Sequence, residues 1–188
     1  MSDTYYVKTF GGLEITNDNV TVNIVKLFGK QLVNLLQVLL FHSEKPVQKD
    51  ELIDILWPES KNPSSALKFS IFRLRAELNE IEFFKDKEGI VTTRKGYILN
   101  PNLDWNIDFV ELEKAYNQIN DGSELLDEKE FKTARKIFRL YQGRFYASPS
   151  QLHWILQKQE IFRQMYVKTM MRTSCYLYTQ KCYNYMMN

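Results

Sequence analysis

The period of apolar and polar positions changes along the chain, and each change marks an element. Near the start, β-forming residues over Tyr5–Phe10 and Gly12–Ile15 flank the Gly11-Gly12 turn. After a second turn at Asn17-Asp18-Asn19, Val20, Val22 and Ile24 alternate with polar neighbours, so three strands, the last over Val20–Val25, are predicted to form a small antiparallel sheet. The spacing then becomes helical. Leu32, Leu35, Leu36, Leu39 and Leu40 make one amphipathic stripe, which Ser43-Glu44-Lys45-Pro46 ends, because the residue before a proline disfavours helix. A second helix is expected from Lys49 to Trp57, with Leu52, Ile53, Leu56 and Trp57 on one face, Asp50 and Glu51 in its first turn, and Pro58 as its stop. The third opens at Asn62-Pro63, a capping residue followed by proline at the first helical position, and runs to about Glu80 with Leu67, Ile71, Leu74 and Leu78 inward. Strand-like stretches at Ile81–Lys85, Gly89–Thr93 and Tyr97–Leu99 follow, with Arg94-Lys95-Gly96 as a hairpin tip.

Asn100-Pro101-Asn102 divides the chain, giving expected domains over 1–100 and 104–188. The second half reads as helical throughout. Phe109, Leu112, Ala115, Tyr116 and Ile119 form a stripe ended by Asp121-Gly122. Phe131, Ala134, Ile137, Phe138 and Tyr141 form another, ended by Gln142-Gly143, and a long third helix is expected from about Ser150 to Lys181. Trp154, with Ile155, Leu156 and Phe162, reads as core rather than as a peptide-binding cup. Asp127, Glu128 and Glu130 read as favouring a helix N-terminus rather than as acid/base chemistry.

Composition narrows the class. The chain has 188 residues, 44% hydrophobic and 26% charged, which is ordinary for globular protein. No basic-then-apolar leader opens the sequence, the longest apolar run is about half a membrane span, and two cysteines cannot build a disulfide framework. A cytoplasmic location without membrane contact is therefore expected. Net charge is only +2, so no global basic signature marks a nucleic-acid partner. Locally the picture differs: between Glu59 and Glu77 lie Lys61, Lys68, Arg73 and Arg75 without one acid, and residues 85–95 add Lys85, Lys87, Arg94 and Lys95 against Asp86 and Glu88. Phosphate attraction acts over about a Debye length, ~10 Å, so local charge outweighs the total. Cys175 and Cys182 have no further thiol or nearby histidine to complete a metal site, His42 and His153 stand alone, and no phosphate-binding glycine motif occurs. The sequence predicts no enzyme activity, no cofactor and no metal.

The stretch KQLVNLLQVLLFHSEKPVQKDELIDILWPESKNPSSALKFSIFRLRAEL, then GYIL, resembles an OmpR-type winged helix. Within that class it looks like the Streptomyces-antibiotic-regulatory-protein (SARP) family of bacterial transcriptional activators. Pro46-Val47, Asp50-Glu51-Leu52-Ile53, Leu56-Trp57-Pro58, Arg73-Leu74-Arg75-Ala76-Glu77-Leu78 and Gly96-Tyr97 carry the likeness. The second half resembles the family's bacterial transcriptional activator domain through Asp108-Phe109, Leu140-Tyr141-Gln142-Gly143-Arg144-Phe145 and Trp154. Two departures stand out: Gln48 where a Ser or Thr cap is usual, and Phe69 and Phe72 where smaller or polar residues are commoner. The implied architecture is an α+β winged helix (small sheet, three helices, β-ribbon wing) followed by an all-α, tetratricopeptide-like helical domain. The implied function is transcription regulation through double-stranded DNA.

On a helical wheel Ser65, Phe69, Phe72, Arg73 and Ala76 lie away from the buried side of helix 62–80, with Lys68 and Arg75 flanking it. A major groove admits one helix, and Arg73 falls at the family position that reads a base edge, where guanidinium bonds O6 and N7 of guanine. Lys68 and Arg75 would bond phosphates. Phe69 either meets a thymine methyl or packs internally, and Phe72 is expected to pack. Arg94 and Lys95, in the wing over 85–97, would touch flanking backbone or minor groove. The resemblance further implies direct-repeat operators, a homodimer, and an RNA polymerase contact from Pro58–Asn62. An alternative remains open: an interaction adaptor with a degenerate winged helix that does not bind DNA, drawn from the apolar Phe69/Phe72 face and the Tyr/Met-rich tail.

Overall fold

The computed structural model describes residues 4–119, 126–147 and 152–186, with side chains as far as residue 181. It holds two compact units: residues 4–7, 13–106 and 152 in the first, and residues 8–12, 107–147 and 153–186 in the second, less the undescribed positions.

In the first unit, β1 (Thr4–Lys8), β2 (Glu14–Asn17) and β3 (Val20–Asn23) belong to a four-stranded sheet of order β3-β2-β1-β6, closed on one side by β6 (Asp104–Ile107). β2 and β3 are antiparallel, with Ile15 opposite Val22 and Asn17 opposite Val20. The third strand stops two residues earlier than its alternation predicts. The Asn23 side chain accepts the Lys26 amide, and Ile24 opens a one-turn helix, α1 (Ile24–Leu27), with Ile24 buried. An Asn able to cap outweighs a short run of β-branched residues.

Three longer helices follow as expected: α2 (Lys30–Phe41), α3 (Lys49–Leu56) and α4 (Pro63–Asn79). Their predicted stripes are inside, with Leu35, Leu36, Leu39, Leu52, Leu67, Leu74 and Leu78 all nearly or fully buried. Gln48 does stand at the N-cap of α3, and its side chain makes no capping bond.

The stretch Ile81–Lys85 is not a strand. It forms a 3-10 turn over Glu82–Phe84, in which the Phe84 amide donates to the Ile81 carbonyl at 2.8 Å. Its two phenylalanines are drawn to a ring cluster: Phe84 stacks on Tyr5 at 4.8 Å and on Trp105 at 5.7 Å. The hairpin is β4 (Ile90–Thr93) with β5 (Gly96–Leu99), antiparallel, Thr93 opposite Gly96. β6 was not anticipated, because Asp-Trp-Asn-Ile presents too few β-formers to outweigh its Asn/Pro-rich approach.

In the second unit α5 (Asp108–Ile119), α6 (Glu128–Leu140) and α7 (His153–Met186) supply the core. All five residues of the predicted α5 stripe are buried. Asp127 caps α6 in a reciprocal box: its carboxylate accepts the Glu130 amide while Glu130 accepts the Asp127 amide, both at 2.7 Å. Trp154 meets Phe145 and Tyr146 edge-on, within the aromatic core. Segment 8–12 docks here. Phe10 is fully buried among Tyr141, Phe145 and Phe162, and buried Asp108 accepts bonds from the Thr9 amide at 2.8 Å, the Phe10 amide at 3.1 Å and the Thr9 hydroxyl. The expected stops at Asp121-Gly122 and the helix start at Ser150 lie outside the described residues, as does the Cys182 side chain; Cys175 is exposed.

Candidate nucleic-acid interface

Pro63 sets the first turn of α4, and the helix then presents two stripes of equal spacing. The inward one, Leu67, Ile71, Leu74 and Leu78, is buried. The outward one, Ser65, Phe69, Phe72 and Ala76, is offset by two residues and so lies roughly opposite, at ~200° for 3.6 residues per turn. Phe69 is 61% exposed and Phe72 70%. The expectation that Phe72 packs is thus corrected: its position, one residue past buried Ile71, turns its ring to solvent.

Cations flank this uncharged stripe. Lys68 is exposed on one side. Arg73 stands on the other, its Nη2 donating to Glu77 Oε1 at 2.8 Å. Arg75 is engaged elsewhere. Its Nε donates to the Ile90 carbonyl and its Nη2 to Thr92 Oγ1, both at 2.9 Å, and Glu88 lies 3.3 Å from Nη2. This planar fork holds β4 against α4. Sequence reasoning assigned Arg75 only by its side of the helix. A signal was available in the Thr/Glu-bearing β4 region that follows, but the register that joins them is a tertiary fact.

The ribbon is held at a second point. Val47 and Tyr97 exchange backbone bonds, Val47 amide to Tyr97 carbonyl at 2.8 Å and the reverse at 3.0 Å, just before α3 begins. Gly96, at φ +147°, makes the approach possible. At the tip, Thr93 Oγ1 accepts the Lys95 and Gly96 amides at 3.2 Å, and Arg94 and Lys95 are exposed. The structure therefore presents Ser65, Lys68, Phe69, Phe72 and Arg73 on one helix, with Arg94 and Lys95 on a ribbon that Arg75 and Gly96 fasten to the same unit. Among the described residues, no group of three or more His, Cys, Asp or Glu side chains is placed to hold a metal, and no helix is long and apolar enough to cross a membrane.

Sheet, helices and ribbon in this order make a winged helix. Residues 23–99 match the family described as "Transcriptional regulatory protein, C terminal", so this stretch of the chain is similar to the winged-helix region of transcription regulators. Among solved structures, the chain is similar to Mycobacterium tuberculosis EmbR in complex with a low affinity phosphopeptide, at TM-score 0.65 and 16% identity, over 90% of this chain and 44% of that one. The likeness extends the shared fold through the helical region. The DNA-binding domain of Escherichia coli CadC aligns at TM-score 0.39 and 25% identity, over 50% of this chain and 88% of that one. No curated protein matches the chain. The expected resemblance and the two-part fold, winged helix then helical region, are borne out.

Proposed function

We propose that the protein is a sequence-specific, double-stranded-DNA-binding transcriptional activator in which α4 enters the major groove and the wing meets flanking backbone or minor groove. One observation carries this reading: the uncharged, solvent-facing stripe of α4 is bordered by Lys68 and Arg73, a layout that in a groove turns the stripe and Arg73 toward base edges and Lys68 toward a phosphate rim. Arg73 reads a base edge, guanine being the best match for its fork. Lys68, Arg94 and Lys95 bond phosphates, and Ser65 lies at the groove end of the helix. Arg75 acts through the wing as a positioning residue. By resemblance, two copies occupy direct repeats and the loop Pro58–Asn62 faces RNA polymerase. The protein works without a cofactor, in the cytoplasm, and its role is regulatory rather than enzymatic.

The test is selection from a random duplex library, followed by salt titration of the recovered site with wild type and Arg73→Ala. The expected result is a repeated motif whose affinity falls with log salt at about −0.9 per neutralised phosphate, for about four to six contacts. Arg73→Ala is expected to lose ~1–3 kcal/mol and to relax selectivity at one base pair. No enrichment over bulk duplex would overturn the reading and favour the adaptor alternative, which the exposure of Phe69 and Phe72 otherwise supports.

A further inference from the structure

The two phenylalanines of α4 are the least explained feature of the interface. A monomer gains nothing by holding two phenyl rings 61% and 70% exposed on one helix face. They stand three residues apart, so their β-carbons lie ~5–6 Å from each other, on the order of one to two base steps of a duplex. Nothing polar interrupts their stripe except Ser65 at its start, and it is flanked by Lys68 on one side and by the Arg73–Glu77 pair on the other. A protein partner recognised through these rings would sit between Lys68 and Arg73 and desolvate both. A duplex would instead place a phosphate beside Lys68, a base edge within reach of Arg73 and further base edges beneath the rings. The only apolar group that a major-groove edge offers is the 5-methyl of thymine.

We infer that Phe69 and Phe72 together form an apolar reader of two nearby thymine methyl groups, so that each half-site carries a pair of thymines beneath α4. This rests on the reading of α4 as the groove-entering helix and adds to it what the centre of the helix recognises. Selectivity is then divided along the helix: shape and methyl contact at Phe69 and Phe72, hydrogen bonding at Arg73. The Arg73–Glu77 pair at 2.8 Å holds the guanidinium to one side of the rings, which leaves the methyl contacts unobstructed.

The experiment uses the full chain and the duplex recovered by selection, with each thymine in turn replaced by deoxyuridine, which removes the methyl and keeps every hydrogen bond. Fluorescence anisotropy measures wild type, Phe69→Ala and Phe72→Ala on every duplex. Both positions are solvent-facing, so the variants keep the fold, which circular dichroism checks. At two thymines, loss of the methyl is expected to weaken wild type roughly fourfold each. Phe69→Ala is expected to be indifferent to one of these replacements and Phe72→Ala to the other. A selected site that binds wild type tightly and tolerates deoxyuridine everywhere would overturn this inference and leave the DNA reading intact. So would variants that feel each replacement as strongly as wild type does. Absence of any selective duplex binding would overturn both, and would return the rings to a protein partner.

Discussion

Gly96 is the position where one added carbon has the largest calculable consequence. A β-carbon there would lie 1.9 Å from the Val47 carbonyl oxygen and 2.7 Å from its carbon, on a backbone already at φ +147°. Both neighbours are main chain and cannot rotate away. Gly96→Ala is expected to destabilise the protein by more than ~2 kcal/mol and to break the Val47–Tyr97 bridge. Gly12→Ala is the control, since nothing lies within 4 Å of its β-carbon and its φ is not left-handed, and it is expected to be neutral or stabilising by ~0.5 kcal/mol. Urea midpoints decide; equal midpoints for the two variants would refute the close approach. Asp108 offers a pH signature. Burial raises its carboxyl above the ordinary value, and the bonds from the Thr9 hydroxyl, the Thr9 amide and the Phe10 amide only partly oppose this. The folded state therefore holds the proton more tightly than the unfolded chain. This group's contribution is fullest below the unfolded carboxylate value and is lost as pH rises through the raised one. Stability of wild type relative to Asp108→Asn is expected to fall as pH rises above the ordinary carboxylate range. A difference that is flat, or rises, would show that desolvation does not dominate there.

Between elements, the wing depends on Arg75 as much as on its own hairpin bonds. The guanidinium ties α4 to the Ile90 carbonyl and Thr92 hydroxyl of β4 through two different nitrogens. Arg75→Ala is expected to lose ~1–2 kcal/mol of stability, and Arg75→Lys to recover little of it, because an ammonium cannot reach both acceptors in a fixed plane. Amide exchange in β4 and β5 is the sharper measure, and it is expected to rise more than exchange in α2. Uniform exchange would mean the wing is held without Arg75. The same contrast explains how far the chain was readable. Helices α2 to α4 carry their own stripes and stops, so their positions were legible from periodicity and proline alone; the wheel also set Phe69 and Phe72 off the buried side, but not that Phe72, expected to pack, stands in solvent. The 3-10 turn at Glu82–Phe84, the strand β6 and the partner of Arg75 were not legible. Each is decided by a tertiary neighbour: Tyr5 and Trp105 for the rings of the turn, β1 for the strand, Thr92 for the arginine.

At the scale of the whole chain, net charge and domain boundary both mislead when read as single numbers. A total of +2 hides a cationic helix and wing tip, and a boundary at residue 100 passes between β5 and the strand that completes the sheet. The matched family region ends at residue 99 as well, whereas the first compact unit runs on to residue 106. Its last strand contributes specific bonds. Trp105 packs against Tyr5 at 5.3 Å and Phe84 at 5.7 Å, its indole N–H donates to the Asn100 carbonyl at 2.9 Å, and Asp104 accepts the Thr4 hydroxyl at 2.7 Å. Without them β1 becomes an unpaired sheet edge and the Tyr5–Phe84 stack loses its cover. A fragment of residues 1–107 is therefore expected to be more stable than one of residues 1–100 by on the order of 2–3 kcal/mol, the worth of one buried Trp with its hydrogen bond. Both fragments lack the second unit, so its loss cancels in the comparison. Urea midpoints and the near-ultraviolet circular dichroism of the tyrosine and tryptophan rings provide the readout. Coincident unfolding curves would mean that β6 adds nothing to the winged helix. A stable 1–107 fragment that selects the same duplex as the full chain would place DNA recognition wholly within the first unit and leave control of that recognition to the helices that follow.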